Sequence, residues 1–202
     1  MKTTRRTAIK TLASAPLAAG FVWTEAEAQQ AHTHAQTARQ TAQRTGAAFK
    51  PKFFNQHEYA TVRVLVDLII PKDERSGSAT DAGVPEFMDF IMTDSPGRQT
   101  AMRGGLAWLD RECVTRYDKT FVSCTQTART AVLDEIAWPQ KARPEVSHGL
   151  AFFNSFRDLT ASGFWSSKIG IDDLMYMGNI VVAEWKGCPA NVLQKLGLDP
   201  TD

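Results

Sequence analysis

The chain has 202 residues, 43% of them hydrophobic, with 23 Lys and Arg against 22 Asp and Glu for a formal charge of +1. Residues 1–28 hold four of the basic and two of the acidic residues, so the remainder carries 19 against 20. That balance gives no reason to expect nucleic acid or an anionic membrane surface as partner, and the length suffices for one core burying roughly 70% of the unfolded surface but promises no second.

Lys2, Arg5, Arg6 and Lys10 form a positive segment ahead of Thr11 to Trp23, a weakly apolar stretch interrupted by Pro16 and Gly20. Those thirteen residues fall short of the ~20 that span a bilayer, so no membrane span of the chain's own is expected. Ala26-Glu27-Ala28 is a small-x-small cleavage site. The run Thr4-Arg5-Arg6-Thr7-Ala8-Ile9-Lys10 resembles the twin-arginine (Tat) export signal, with Ala8 where a bulky apolar residue is usual. The resemblance implies a Tat-type signal peptide over residues 1–28, read by the Tat translocase. It also implies a periplasmic mature chain, held at the inner membrane only through a complex. A chance arginine pair on a Sec signal is the alternative.

Residues 29–50 are rich in Gln, Thr and Ala and nearly empty of large apolar side chains, which predicts a flexible lead-in with His32 and His34 solvated. The folded domain is expected over residues 51–202. Its first helix has Asn55 as cap, Glu58 completing a capping box, an apolar face of Tyr59, Val62, Leu65, Val66 and Ile69, and Pro71 as terminator. Pro85 suits a helix's first turn. A third helix starts near Ser95-Pro96, with Met102, Leu106, Leu109 and Cys113 on one side, and Gly104-Gly105 in its middle suggests a close helix contact. Thr125 can cap a fourth, ended by Trp138-Pro139, and a fifth covers Glu145 to Thr160.

No stretch sustains period-two alternation, so the fold class is all-α: a single domain of about five or six helices with a long irregular C-terminal segment after Gly163. That segment is thick with Gly, aromatic and Met residues. Phe164, Trp165, Tyr176, Met177, Asn179, Trp185 and Cys188 are assigned from it to a partner interface.

No dinucleotide GxGxxG, haem-attaching CxxCH, GxSxG or HExxH pattern occurs, and three scattered cysteines cannot hold a four-Cys iron–sulfur cluster. The reading is a chain with no catalytic, cofactor-binding or metal residues of its own. Asp134-Glu135 reads as a solvated helix surface, Asp172-Asp173 as a helix start, and His57 and His148 as structural or solvated. In an oxidising compartment an odd cysteine count leaves at least one thiol without an internal partner. Cys113 and Cys124 are then packing residues or a bridged pair. Cys188 is a free surface thiol or bonded to a cysteine of a partner chain.

The blocks FFNQHEYATVRVLVDLIIPKDE, DAGVPEFMDF, GLAWLDRE, LDEIA, AFFNSFRDLTASGFWSSKIGIDDLMYMGN and WKGCP resemble, in order and spacing, the gluconate 2-dehydrogenase subunit 3 family. The departures are Trp165 where Tyr is common, Met175 where Gly is common, and VVAEW where a Pro-containing turn is common. The resemblance implies a small, exported, non-catalytic subunit of a sugar, sugar-acid or polyol dehydrogenase. The partner it implies is a large FAD-dependent flavoprotein of the glucose-methanol-choline type, often with a multihaem cytochrome c carrying haem c as third subunit. An export chaperone that dissociates after translocation is the alternative.

Overall fold

The computed structural model describes residues 25–140, 143–176, 184 and 187–197, so the arginine pair, Met177, Asn179 and Trp185 lie outside the described residues. Among the described residues there are eight α-helices and no strand: α1 (Glu25–Thr45), α2 (Gln56–Ile69), α3 (Val84–Asp94), α4 (Gln99–Tyr117), α5 (Gln126–Ala137), α6 (Ser147–Trp165), α7 (Lys168–Asp173) and α8 (Ala190–Leu196). The protein is all-α, as its patterning predicts. Helices α2 to α6 are the five read from periodicity, and α1, α7 and α8 are additional.

The punctuation read from sequence operates at α2 and α5. Asn55 Oδ1 accepts from the Glu58 N–H at 2.8 Å while Glu58 Oε2 accepts from the Asn55 N–H at 2.9 Å, which satisfies two donors that a helix start leaves orphaned. Val62, Leu65 and Val66 are fully buried, with Tyr59 and Ile69 packed at the edge. Thr125 caps α5 through the Ala128 N–H at 3.3 Å. The sequence places the next helix at Glu145 to Thr160. It instead starts at Ser147, after a 3-10 turn over Pro144–Val146, and runs on to Trp165.

Helix α3 is the centre of the fold. Val84, Phe87, Met88, Ile91 and Met92 are all buried, and a helix apolar around most of its circumference must be enclosed by others. Helices α1, α2 and α6 enclose it. The exception among its buried residues is Asp89, 2% exposed. Its Oδ2 accepts from the Lys52 N–H at 2.8 Å and its Oδ1 from the Phe53 and Phe54 N–H groups at 2.9 and 3.1 Å. This carboxylate holds the chain that leads into α2.

Helices α4 and α6 are locked by two reciprocal notches. A Cβ on Gly105 of α4 would lie 1.8 Å from the Phe152 ring of α6, and one on Gly149 of α6 would lie 2.4 Å from the Trp108 ring of α4. Each helix thus presents a glycine and, three residues on, an aromatic ring that fills the other's gap, in antiparallel register. Gly104, by contrast, has nothing within 4 Å of its Cβ position. The expected close contact belongs to one glycine of the pair.

The flexible lead-in is corrected. Residues through Thr45 form α1, built from good helix formers. It packs mainly on α3 through the small residues Ala28, Ala31 and Ala35. Small side chains let the two helices approach closely, so the contact needs few large aliphatics. Two imidazoles supply the flat surface instead: His32 stacks on Phe87 at 4.8 Å between ring centroids and His34 on Phe90 at 4.4 Å. His32 is 5% exposed, not solvated, and its Nε2 lies 2.9 Å from Ser166 Oγ.

Burial holds the His32 pKa below its usual 6.5, against a contact with the Gly163 backbone that acts the other way. A base whose folded pKa is depressed stabilises the fold in its neutral form. That contribution is complete above about pH 6.5 and is lost as the pH falls below it. Hydrogen exchange of α1 peptides is therefore expected to accelerate between pH 7 and pH 5, beyond the intrinsic pH correction, in the wild type and not in His32→Gln.

Candidate partner interface

The end of α6 turns back on itself within a few residues. Ser167 caps α7 by accepting from the Gly170 N–H at 3.1 Å. Gly170 is obligatory there, because a Cβ would meet the Phe164 carbonyl oxygen at 2.1 Å. The Tyr176 N–H then returns to the Ile171 carbonyl at 3.1 Å, making residues 165–176 a compact hook. Arg75 fixes it to the loop after α2, donating to the Asp173 carbonyl at 2.7 Å and pairing with its carboxylate at 3.3 Å.

The outside of the hook exposes large apolar side chains beside the Lys168–Asp172 ion pair. Trp165, Ile171, Leu174, Met175 and Tyr176 are 40%, 36%, 54%, 77% and 64% exposed, a concentration of large apolar surface that a solvated face does not need. Met175 also stands at φ 52°, in the left-handed region, which a non-glycine side chain occupies at a cost of roughly 1–2 kcal/mol.

Of the residues assigned to an interface from sequence, Trp165 and Tyr176 lie on this face. Phe164 does not: it is 1% exposed and packs edge-on beneath Trp165 at 4.9 Å, so its role is to support the patch from the core. Cys188 is exposed and free, just before α8. Sequence reasoning did not single out Ile171, Leu174 and Met175, which are exposed beside Trp165 and Tyr176, although their spacing in a short segment rich in apolar residues was a usable signal. Asp172-Asp173 is corrected as well. The pair ends α7 rather than starting it, with Asp172 bound to Lys168 at 2.5 Å.

Several of the remaining polar groups hold helices together. His57 Nε2 meets Asp110 Oδ2 at 2.6 Å, and Asp110 Oδ1 accepts from the Phe121 N–H at 2.9 Å, tying α2 and α4 to the turn before α5. Asp134 and His148 are exposed. Glu135 departs from the solvated reading: Arg116 at 2.6 Å and Arg143 at 2.8 Å flank it, and the Arg116 guanidinium leads in holding its carboxyl down to about 2. A cavity of about 450 Å³ lies between α1, α3 and residues 46–53, with Ala38, Ala42, Phe49 and Phe90 among its walls. Among the described residues no three His, Cys, Asp or Glu side chains group as a metal site, and no helix is long and apolar enough to cross a membrane.

Comparison with curated proteins and with solved structures gave no match. The family profile described as Gluconate 2-dehydrogenase subunit 3 matches residues 56–183, from the first residue of α2 past the end of the hook. The match covers most of the chain and all of α2 to α7, and on that ground this protein belongs to the gluconate 2-dehydrogenase subunit 3 family.

Proposed function

We propose that this chain is the small, non-catalytic subunit of a periplasmic FAD-dependent dehydrogenase of sugars, sugar acids or polyols, and that the hook of residues 165–176 holds it to the flavoprotein. FAD belongs to that partner and haem c to a third, cytochrome subunit. The Arg5-Arg6 signal takes the folded pair through the Tat translocase. The observation that carries the reading is Met175. The family pattern commonly has Gly at this position, which would adopt a φ of 52° without strain. Here a methionine bears that strain and is 77% exposed. A side chain that costs stability and touches little of its own fold gains its value from something that covers it. The exposed Cys188 is the thiol available for a bond to the large subunit.

Purification of the tagged full chain from periplasmic extract tests the proposal. The wild type is expected to bring down a yellow, FAD-containing chain. Met175→Gly and Tyr176→Ala are each expected to weaken that complex by about tenfold or more while the free subunit melts no lower than the wild type by more than about 2 °C. Unchanged affinity in both variants would remove the hook from the interface. Absence of any stable flavoprotein complex would favour a chaperone that leaves after export. Arg5→Lys with Arg6→Lys should leave both chains in the cytoplasm, and normal export of the flavoprotein would count against the shared signal.

A further inference from the structure

Two steps in register bring Cys113 and Cys124 together. The bond from the Phe121 N–H to Asp110 Oδ1 fixes the 3-10 turn Phe121–Ser123 against α4. Cys113 lies three residues after Asp110 on the same face of α4, and Cys124 lies three residues after Phe121 at the end of that turn. Both side chains are buried, at 0% and 5% exposure, and the two thiols are close enough for Cys124 to act on the titration of Cys113. Cys124 Sγ also donates to the Lys119 carbonyl oxygen at 3.7 Å. Both thiols are free.

We propose that Cys113 and Cys124 are a disulfide-forming pair that staples α4 to the turn before α5 when the chain meets a disulfide oxidant. The proposal does not depend on the hook or on a flavoprotein partner.

The order of the chemistry follows from the surroundings. Burial first, and the neighbouring Cys124 second, push the Cys113 thiol up to about 12, so it stays protonated while Cys124 reacts. The Cys124 thiolate attacks an external disulfide R–S–S–R, forming Cys124–S–S–R and releasing one R–S⁻. Cys113 then gives its proton to a released thiolate and attacks Cys124 Sγ, expelling the second R–S⁻. Two protein thiols are oxidised and one external disulfide is reduced to two thiols; one of these takes the Cys113 proton and the other takes from solvent the proton that Cys124 released to it on forming its thiolate. The Cys113 and Cys124 residues are eleven apart in sequence, so the bridge would close a short loop between α4 and the turn before α5.

The test uses the full chain carrying Cys188→Ser and oxidised glutathione as the probe. The expected result is a loss of two hydrogens in intact mass, with a reducible cross-link between tryptic peptides 112–116 and 120–129. The melting midpoint should rise by roughly 5–10 °C over the reduced form. The same product is expected when the chain is refolded from urea in the same buffer, which covers slow access to the buried turn. The proposal is overturned if both thiols remain alkylatable after oxidation by either route, or if both carry glutathione with no cross-link between them.

Discussion

Asp89→Ala is expected to lower the unfolding free energy by about 3–5 kcal/mol, the largest loss of any single substitution considered for this protein. Asp89 satisfies three consecutive backbone N–H groups from Lys52 to Phe54. Phe53 and Phe54 are themselves buried, so water cannot replace the lost acceptor at those two positions. Each orphaned buried donor costs about 1–3 kcal/mol, and the methyl group of alanine also leaves a void in the central helix. Asp89→Asn keeps one oxygen for Phe53 and Phe54 but turns an NH₂ towards the Lys52 donor, which predicts a smaller loss of about 1–2 kcal/mol. Urea titration followed by tryptophan fluorescence and circular dichroism checks both. A loss below about 1 kcal/mol for alanine would mean that the segment before α2 finds other acceptors.

Gly105→Ala and Gly104→Ala should have opposite signs although the residues are neighbours on one helix. Alanine is favoured over glycine in a helix interior by about 1 kcal/mol, and Gly104 is exposed with open space around it. That substitution is expected to stabilise by up to about 1 kcal/mol. At Gly105 the new methyl would sit 1.8 Å from the Phe152 ring, which is itself buried and packed on Phe156 at 5.4 Å. A buried ring packed on its neighbour yields little, so the helices are expected to separate. Overpacking of this kind costs about 1–3 kcal/mol and occasionally more, leaving a net loss of about 1–2 kcal/mol after the propensity gain when the cost is at the upper end of that range. Melting curves of the two variants give the comparison directly. A neutral Gly105→Ala would show that the α4–α6 contact can relax.

The elements that the sequence announces are those whose signals are local. The caps at Asn55 and Thr125 lie within three residues of the groups they serve, and the buried side of α4 repeats at helical spacing as Met102, Leu106, Leu109 and Cys113. What is hidden depends on distant partners. The segment of α1 looks too polar to fold because its buried residues are alanines and a histidine, and only the Phe87 and Phe90 rings on α3 make that face useful. Asp89 is visible as an acid in the middle of the apolar run FMDFIM, but the donors it serves lie 35 to 37 residues upstream. The hook was legible as a sticky segment and misjudged in detail, since aromatic character does not say which ring faces inward. Phe164 and Trp165 are adjacent, and one is buried and the other exposed.

The stretch that identifies the family and the stretch that can fold alone are different lengths. The family match starts at residue 56, yet Asp89 is satisfied by residues 52–54 and α3 is shielded by a helix that begins at Glu25. A chain trimmed to the matched residues would keep every recognisable block and lose the donors for its central carboxylate. It would also bare the Phe87 and Phe90 rings to water. The boundary of an autonomous unit is therefore drawn by where buried groups find their partners, and in this protein it lies upstream of the first residue that marks its ancestry.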